Sequence, residues 1–181
     1  MKGLFVFSNK MEDIEGLGTN ALLKRSGLDM TTAVKGESRK ITTSYGQVVT
    51  VDLLFEEINV MDYDFLVIPG GPYVKETVDQ DQKIKGLVKA FNKEDKLIAA
   101  ICAGPRFLGQ VGLLDNKKFT AFTGSEIDAL KGHYSKKEKA VTDGNIITAR
   151  GAGAVYEFVY EIVKYLKDEK TAQKLLDQIL Y

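Results

Sequence analysis

A chain of 181 residues, 44% of them hydrophobic, is long enough to bury one sizeable core and short enough to be one domain over 1–181. Its 25 Lys and Arg balance 25 Asp and Glu, and no basic stripe interleaves with aromatic residues, so nucleic acid and anionic lipid are not expected partners. One cysteine and one histidine, far apart, exclude an internal disulfide and zinc-ligand spacing, and the opening MKGLFVFSNKMED has too few apolar residues for a signal peptide or membrane span. A cytosolic chain without a metal site is expected.

In chain order, GLFVFS (3–8) reads as a buried strand, and NKMEDIEG after it starts a helix carrying Glu12, Asp13 and Glu15. RKITTSYGQVVTVDL (39–53) is β-rich around Tyr45-Gly46, a hairpin or an edge pair. FLVIPGG (65–71) is a second buried strand, and Ile84, Leu87, Val88 and Phe91 then repeat at helical spacing. KLIAAI (96–101) is a third strand, and GPRFLGQVG after it forms a helix with Pro105 in the first turn, where a missing N–H costs nothing. AVTDGNIITAR (140–150) predicts another hairpin, turning at Asp143-Gly144. Val155, Phe158, Val159, Ile162, Val163 and Leu166 predict an amphipathic helix, and Leu175, Leu176, Ile179 and Leu180 a closing one. Strands alternating with helices make an α/β domain with a mainly parallel sheet covered on both faces. No repeat, linker or phosphate-binding glycine loop interrupts it, so no cofactor is expected.

Cys102 falls at a strand-to-helix corner. A nucleophile on such a sharp turn needs small residues two before and two after it, and Ala100 and Gly104 meet that need. A helix N-terminus carries free N–H groups and partial positive charge, which favours a thiolate. A lone buried cysteine can equally be core filling. Pro69-Gly70-Gly71 ends a neighbouring strand, and its Gly71 N–H could join that of Ala103 as an oxyanion hole, although a tight turn alone would explain the glycines. Glu12, Asp13 and Glu15 could simply complement a helix dipole, or one of them, close to a thiolate, could hold a proton as a general acid and base. His133, in the polar stretch KGHYSKKE, is a secondary candidate for a base.

The combination of AAICAGP (99–105), VIPGG (67–71), EDIEG (12–16), GHY (132–134) and ITARGAG (147–153) resembles the ThiJ/PfpI superfamily, most closely the branch of Parkinson disease protein seven, from the first strand to about Leu166. The resemblance implies a flavodoxin-like three-layer α/β fold, related to class I glutamine amidotransferase domains, and a homodimer. It implies that Cys102 is the reactive cysteine, Glu15 the acid hydrogen-bonded to its sulfur, and Gly71 and Ala103 the backbone donors. Ala103 stands where the peptidase and chaperone-like glyoxalase branches carry a histidine, and TAFT (120–123) puts Ala121 or Phe122 where the Parkinson branch has another. Of a small anion pocket in that branch, Arg25 keeps one member while Tyr45 replaces the other.

Three functions follow from the resemblance. Cys102 could attack a small reactive carbonyl such as methylglyoxal, or its early glycation adduct, with Glu15 moving protons, as in deglycases and glyoxalases. Alternatively Cys102 senses oxidation, or serves a chaperone-like role, without turnover. Peptidase activity is disfavoured by Ala103.

Overall fold

A computed structural model describes residues 1–181. Its strands are β1 (Lys2–Phe7), β2 (Asp29–Val34), β3 (Lys40–Thr42), β4 (Val48–Thr50), β5 (Leu53–Leu54), β6 (Phe65–Ile68), β7 (Leu97–Ile101), β8 (Lys118–Phe119), β9 (His133–Tyr134), β10 (Ala140–Asp143) and β11 (Ile146–Ala149). The main helices are α1 (Thr19–Arg25), α2 (Pro72–Thr77), α3 (Gln82–Lys93), α4 (Pro105–Gln110), α5 (Val155–Leu166) and α6 (Glu169–Gln178).

Seven strands form one sheet in the order β10-β11-β7-β6-β1-β2-β5, parallel except for the antiparallel β10–β11 edge. Every residue of β6 and β7 is buried, which is why both read as unbroken apolar runs: a parallel strand covered on both faces has no polar side. On one face α5 lies on β7, β10 and β11 and touches α1 and α6; on the other, α3 lies on β6 and β7 and touches α4. The result is the three-layer flavodoxin-like α/β arrangement. The apolar stripe of α3 is seated by Ile84, Val88 and Phe91, and its start is fixed by Asp81, whose carboxylate accepts from the Lys83 and Ile84 amides at 3.1 Å. Such a cap contributes about 1 kcal/mol.

Both predicted hairpins form. β10 and β11 turn at Asp143-Gly144, with Gly144 at φ +62, and β11 then continues into the parallel sheet beside β7. β3 and β4 make a separate two-stranded ribbon, latched to the segment after β1. There Lys10 N–H donates to the Thr42 carbonyl at 2.8 Å and Ser44 N–H to that of Met11 at 2.9 Å. Asp13 accepts from the Thr43 hydroxyl at 2.6 Å and the Tyr45 amide at 3.1 Å. The helix expected after NKMED begins instead as a π-turn, Ile14–Gly18, before α1. No helix is long and apolar enough to cross a membrane.

Candidate active site

The carboxyl ends of β1, β6, β7 and β11 lie side by side, the edge at which an open α/β sheet binds ligands. Each delivers one piece of the site: Glu15 after β1, Pro69-Gly70-Gly71 after β6, Cys102 after β7, and Arg150–Ala154 after β11.

Cys102 has φ +63, left-handed backbone that costs a residue with a Cβ about 1–2 kcal/mol. Hydrogen bonds hold it there: its N–H donates to the Ala149 carbonyl, and the Phe122 N–H donates to its own carbonyl, both at 2.8 Å. Gly104 is obligatory, because a Cβ there would sit 2.8 Å from the Ile68 oxygen and 2.9 Å from that of Ile101. The small flanks read from the sequence therefore serve a real corner, and Pro105 opens α4 as its first residue.

Glu15 is the buried partner, 1% exposed. Its Oε2 accepts from the Gly70 N–H at 3.0 Å, the Ala152 amide donates to the same carboxylate, and its side chain is hydrogen-bonded to Cys102. The π-turn sets its direction, and the Glu15 N–H donates to Glu12 Oε2 at 2.7 Å. Gly70 closes the pair from β6: a Cβ on it would lie 2.5 Å from Cys102 Cβ and 2.6 Å from Glu15 Oε2. Tyr73 steadies this loop by donating its hydroxyl to the Pro69 carbonyl at 2.7 Å.

Burial foremost, with the Glu12 carboxylate adding, lifts Glu15 to about 7, against the opposing pull of its Cys102, Gly70 and Ala152 hydrogen bonds. Burial and the Glu15 charge likewise push the thiol up, and only the Ala103 amide draws it down. The helix-terminus argument, which predicts an acidified thiol, is thus outweighed while Glu15 is ionised. Two charges cannot share so dry a space, so the pair holds at most one between them.

A cavity of about 520 Å³ opens over the pair, lined among others by Glu12, Tyr45, Phe122, Tyr134, Lys136 and Arg150. Of the residues expected here, Cys102 and Glu15 meet, and the Ala103 amide reaches the sulfur. Gly71 does not line the cavity; its φ is +122, and a Cβ would strike the Lys10 carbonyl at 2.5 Å, so it packs against the segment after β1, while Gly70 contacts the pair. His133 is exposed on β9 and does not line the cavity, whereas Tyr134 does, because successive strand residues face opposite sides. Arg25 is exposed at the far end of α1, near the start of β2 and thus at the opposite sheet edge. Its guanidinium donates to the Gln178 carbonyl at 3.2 Å. Neither residue joins the site, which contains no histidine.

Residues 1–165 match the family model described as the DJ-1/PfpI family. The chain belongs to the DJ-1/PfpI family. It is 34% identical to Deglycase PfpI of Pyrococcus furiosus, over 92% of this chain and 100% of that one. It is 32% identical to Protein DJ-1 homolog B of Arabidopsis thaliana, over 90% of this chain and 37% of that one. Among solved structures, oxidised DJ-1 of Toxoplasma gondii superposes with a TM-score of 0.90 at 27% identity, over 99% and 98% of the two chains. DJ-1beta of Drosophila melanogaster gives 0.90 at 25%, over 99% and 97%.

Proposed function

We propose that this DJ-1/PfpI chain is a deglycase-type stress-response protein that acts on small reactive carbonyls and their early adducts through Cys102, with Glu15 as proton carrier. The observation that carries the reading is the pair itself: a cysteine strained at φ +63 and hydrogen-bonded to a buried carboxyl that titrates at about 7. A general acid and base works best when its pKa lies near the working pH.

In the proposed sequence Sγ, as thiolate, donates an electron pair to the aldehyde carbon of a 2-oxoaldehyde, and the carbonyl π pair moves to oxygen, which takes the proton held by Glu15. The Ala103 amide faces the developing oxyanion, while Gly71, turned toward the segment after β1, takes no part. Glu15 then carries the C1 proton to C2 while the hydroxyl proton passes from the C1 oxygen to the C2 oxygen. This gives a thioester of a 2-hydroxy acid with no net oxidation. Water hydrolyses it, the C1–Sγ bond breaks, and Sγ recovers its proton. An adduct on a protein thiol or amine enters through the free aldehyde in equilibrium with it. The test is methylglyoxal consumption with lactate release, followed by NMR: Cys102→Ser and Glu15→Gln should each lose it, and retention by either sinks the mechanism.

A second reading, oxidation without turnover, is supported by the Ala103 amide at Sγ and by the likeness to an oxidised DJ-1. It expects a stable two-oxygen mass gain on mild peroxide treatment, absent in Cys102→Ala. A peptidase mechanism is not proposed, since no histidine lines the cavity. A homodimer belongs to the same proposal, supported by exposed Ile14 on the π-turn and Val48 on the adjoining ribbon. Light scattering on the purified chain tests it.

A further inference from the structure

We infer that the cavity selects carbonyl compounds that carry an anionic group, a carboxylate or a phosphate, and that Arg150 and Lys136 are the residues that read it. The inference rests on Cys102 as the reacting atom and adds the class of substrate.

Arg150 is positioned by the sheet. Ala149 pairs with Ile101 in the parallel β11–β7 register, and Cys102 N–H bonds the Ala149 carbonyl at 2.8 Å, so Arg150 emerges one strand spacing, about 4.8 Å, from the cysteine backbone. Lys136 comes from the other side, two residues after β9, on a segment anchored by the Ser135 N–H to the Phe119 carbonyl at 2.8 Å. Both side chains line the cavity and both are exposed. Neither makes an ion pair or a side-chain hydrogen bond, although Lys35, Arg39, Lys83, Arg106 and Lys139 elsewhere are each paired with a carboxylate.

The two acids that face the same cavity do not answer these cations. Glu12 accepts from the Glu15 amide at 2.7 Å, and Glu15 is taken up by Gly70, Ala152 and Cys102. Negative charge thus sits satisfied at the floor and positive charge unsatisfied at the mouth. The flat guanidinium of Arg150 matches the paired oxygens of a carboxylate or phosphate, and the Phe122 and Tyr134 rings flank a short apolar body. An anion at the mouth would leave its carbonyl carbon free to meet Sγ, while a neutral aldehyde would leave both cations unanswered.

The test uses two alkylating agents that differ in charge, iodoacetate and iodoacetamide, with initial rates at Cys102 read by mass spectrometry at low salt. The iodoacetate-to-iodoacetamide rate ratio should fall roughly two- to five-fold in each of Arg150→Gln and Lys136→Gln, as expected for one exposed charge. It should fall further in the double variant and stay unchanged in Lys137→Gln, whose side chain is exposed outside the cavity. High salt should bring the wild-type ratio down to that of the double variant. A ratio indifferent to both substitutions while Cys102 still alkylates overturns this inference alone. No alkylation by either agent in any variant overturns the nucleophile reading and this inference with it. Protection of Cys102 by glyoxylate beyond that by glyoxal identifies a carboxylate, and protection by glyceraldehyde 3-phosphate beyond that by glyceraldehyde identifies a phosphate. Protection no better than the neutral partner in both comparisons overturns the inference.

Discussion

Glu15→Gln removes a carboxyl that titrates at about 7 in the folded protein and at an ordinary 4.5 in the unfolded chain. Because the folded state binds that proton more tightly, the stability it contributes is complete below about pH 4.5 and is lost as pH rises through about 7. The gap of 7 minus 4.5, at 1.36 kcal/mol per unit, amounts to about 3 kcal/mol. Glutamine keeps the shape and an oxygen for the Gly70 N–H, and it never acquires the buried charge. In urea unfolding from about pH 4.5 to 8, wild type should lose stability relative to the variant by about 3 kcal/mol in all, at up to about 1.4 kcal/mol per pH unit. Titrating groups that do not interact with Glu15 cancel in the difference between the two proteins, and the Cys102 thiol, held up by burial, stays protonated in both over this range. Two parallel stability curves would refute the reasoning. They would mean that Glu15 ionises as it does in water, and a carboxyl of that kind is deprotonated near neutrality and has no proton to give.

Cys102→Gly should be more stable than Cys102→Ala by about 1 kcal/mol in the same assay, reversing the usual order, because φ +63 strains alanine and suits glycine. Gly70→Ala places a methyl 2.5 Å from Cys102 Cβ and 2.6 Å from Glu15 Oε2, so it should cost about 1–3 kcal/mol and at least ten-fold in Cys102 alkylation rate. Asp13→Ala unfastens the β3–β4 ribbon from the Thr43 hydroxyl and Tyr45 amide, and should cost about 2 kcal/mol while hydrogen exchange accelerates across residues 43–47.

What the sequence made legible tracks burial. β1, β6 and β7 announce themselves because they are apolar on both faces, while β2, reading DMTTAV, does not. Its Thr32 is buried with its N–H and hydroxyl both given to Asp52 at 2.8 Å, a long-range pairing that no local pattern encodes. The same holds in the site. Cys102 and Glu15 were legible through a corner that demands small neighbours and through a family motif. Two successive glycines announce a turn without telling which one touches the thiol, and only the path of the chain selects Gly70. Lys136 carries no local signal, and Arg150, though it falls in the motif ITARGAG, carries none for reading charge: exposed cations are ordinary until a sheet register brings them to one opening.

The missing histidine concentrates the chemistry. With none at the cavity, Glu15 is the buried group that touches Sγ and can change protonation near neutral pH. Since the pair holds at most one charge, a thiolate exists there only while Glu15 keeps its proton, and in the proposed mechanism that proton is the one the developing alkoxide needs. In that mechanism formation of the nucleophile and readiness of the acid are one event, the passage of a proton from sulfur to carboxylate. Below about pH 7 the pair is neutral, and above it the pair carries a single negative charge to which alkalinity adds no second one, because burial and the Glu15 charge hold the thiol proton up. Reactivity of Cys102 should accordingly rise through about 7 and then level, in place of following an isolated thiol upward, and Glu15→Gln should abolish that plateau and restore a simple thiol titration.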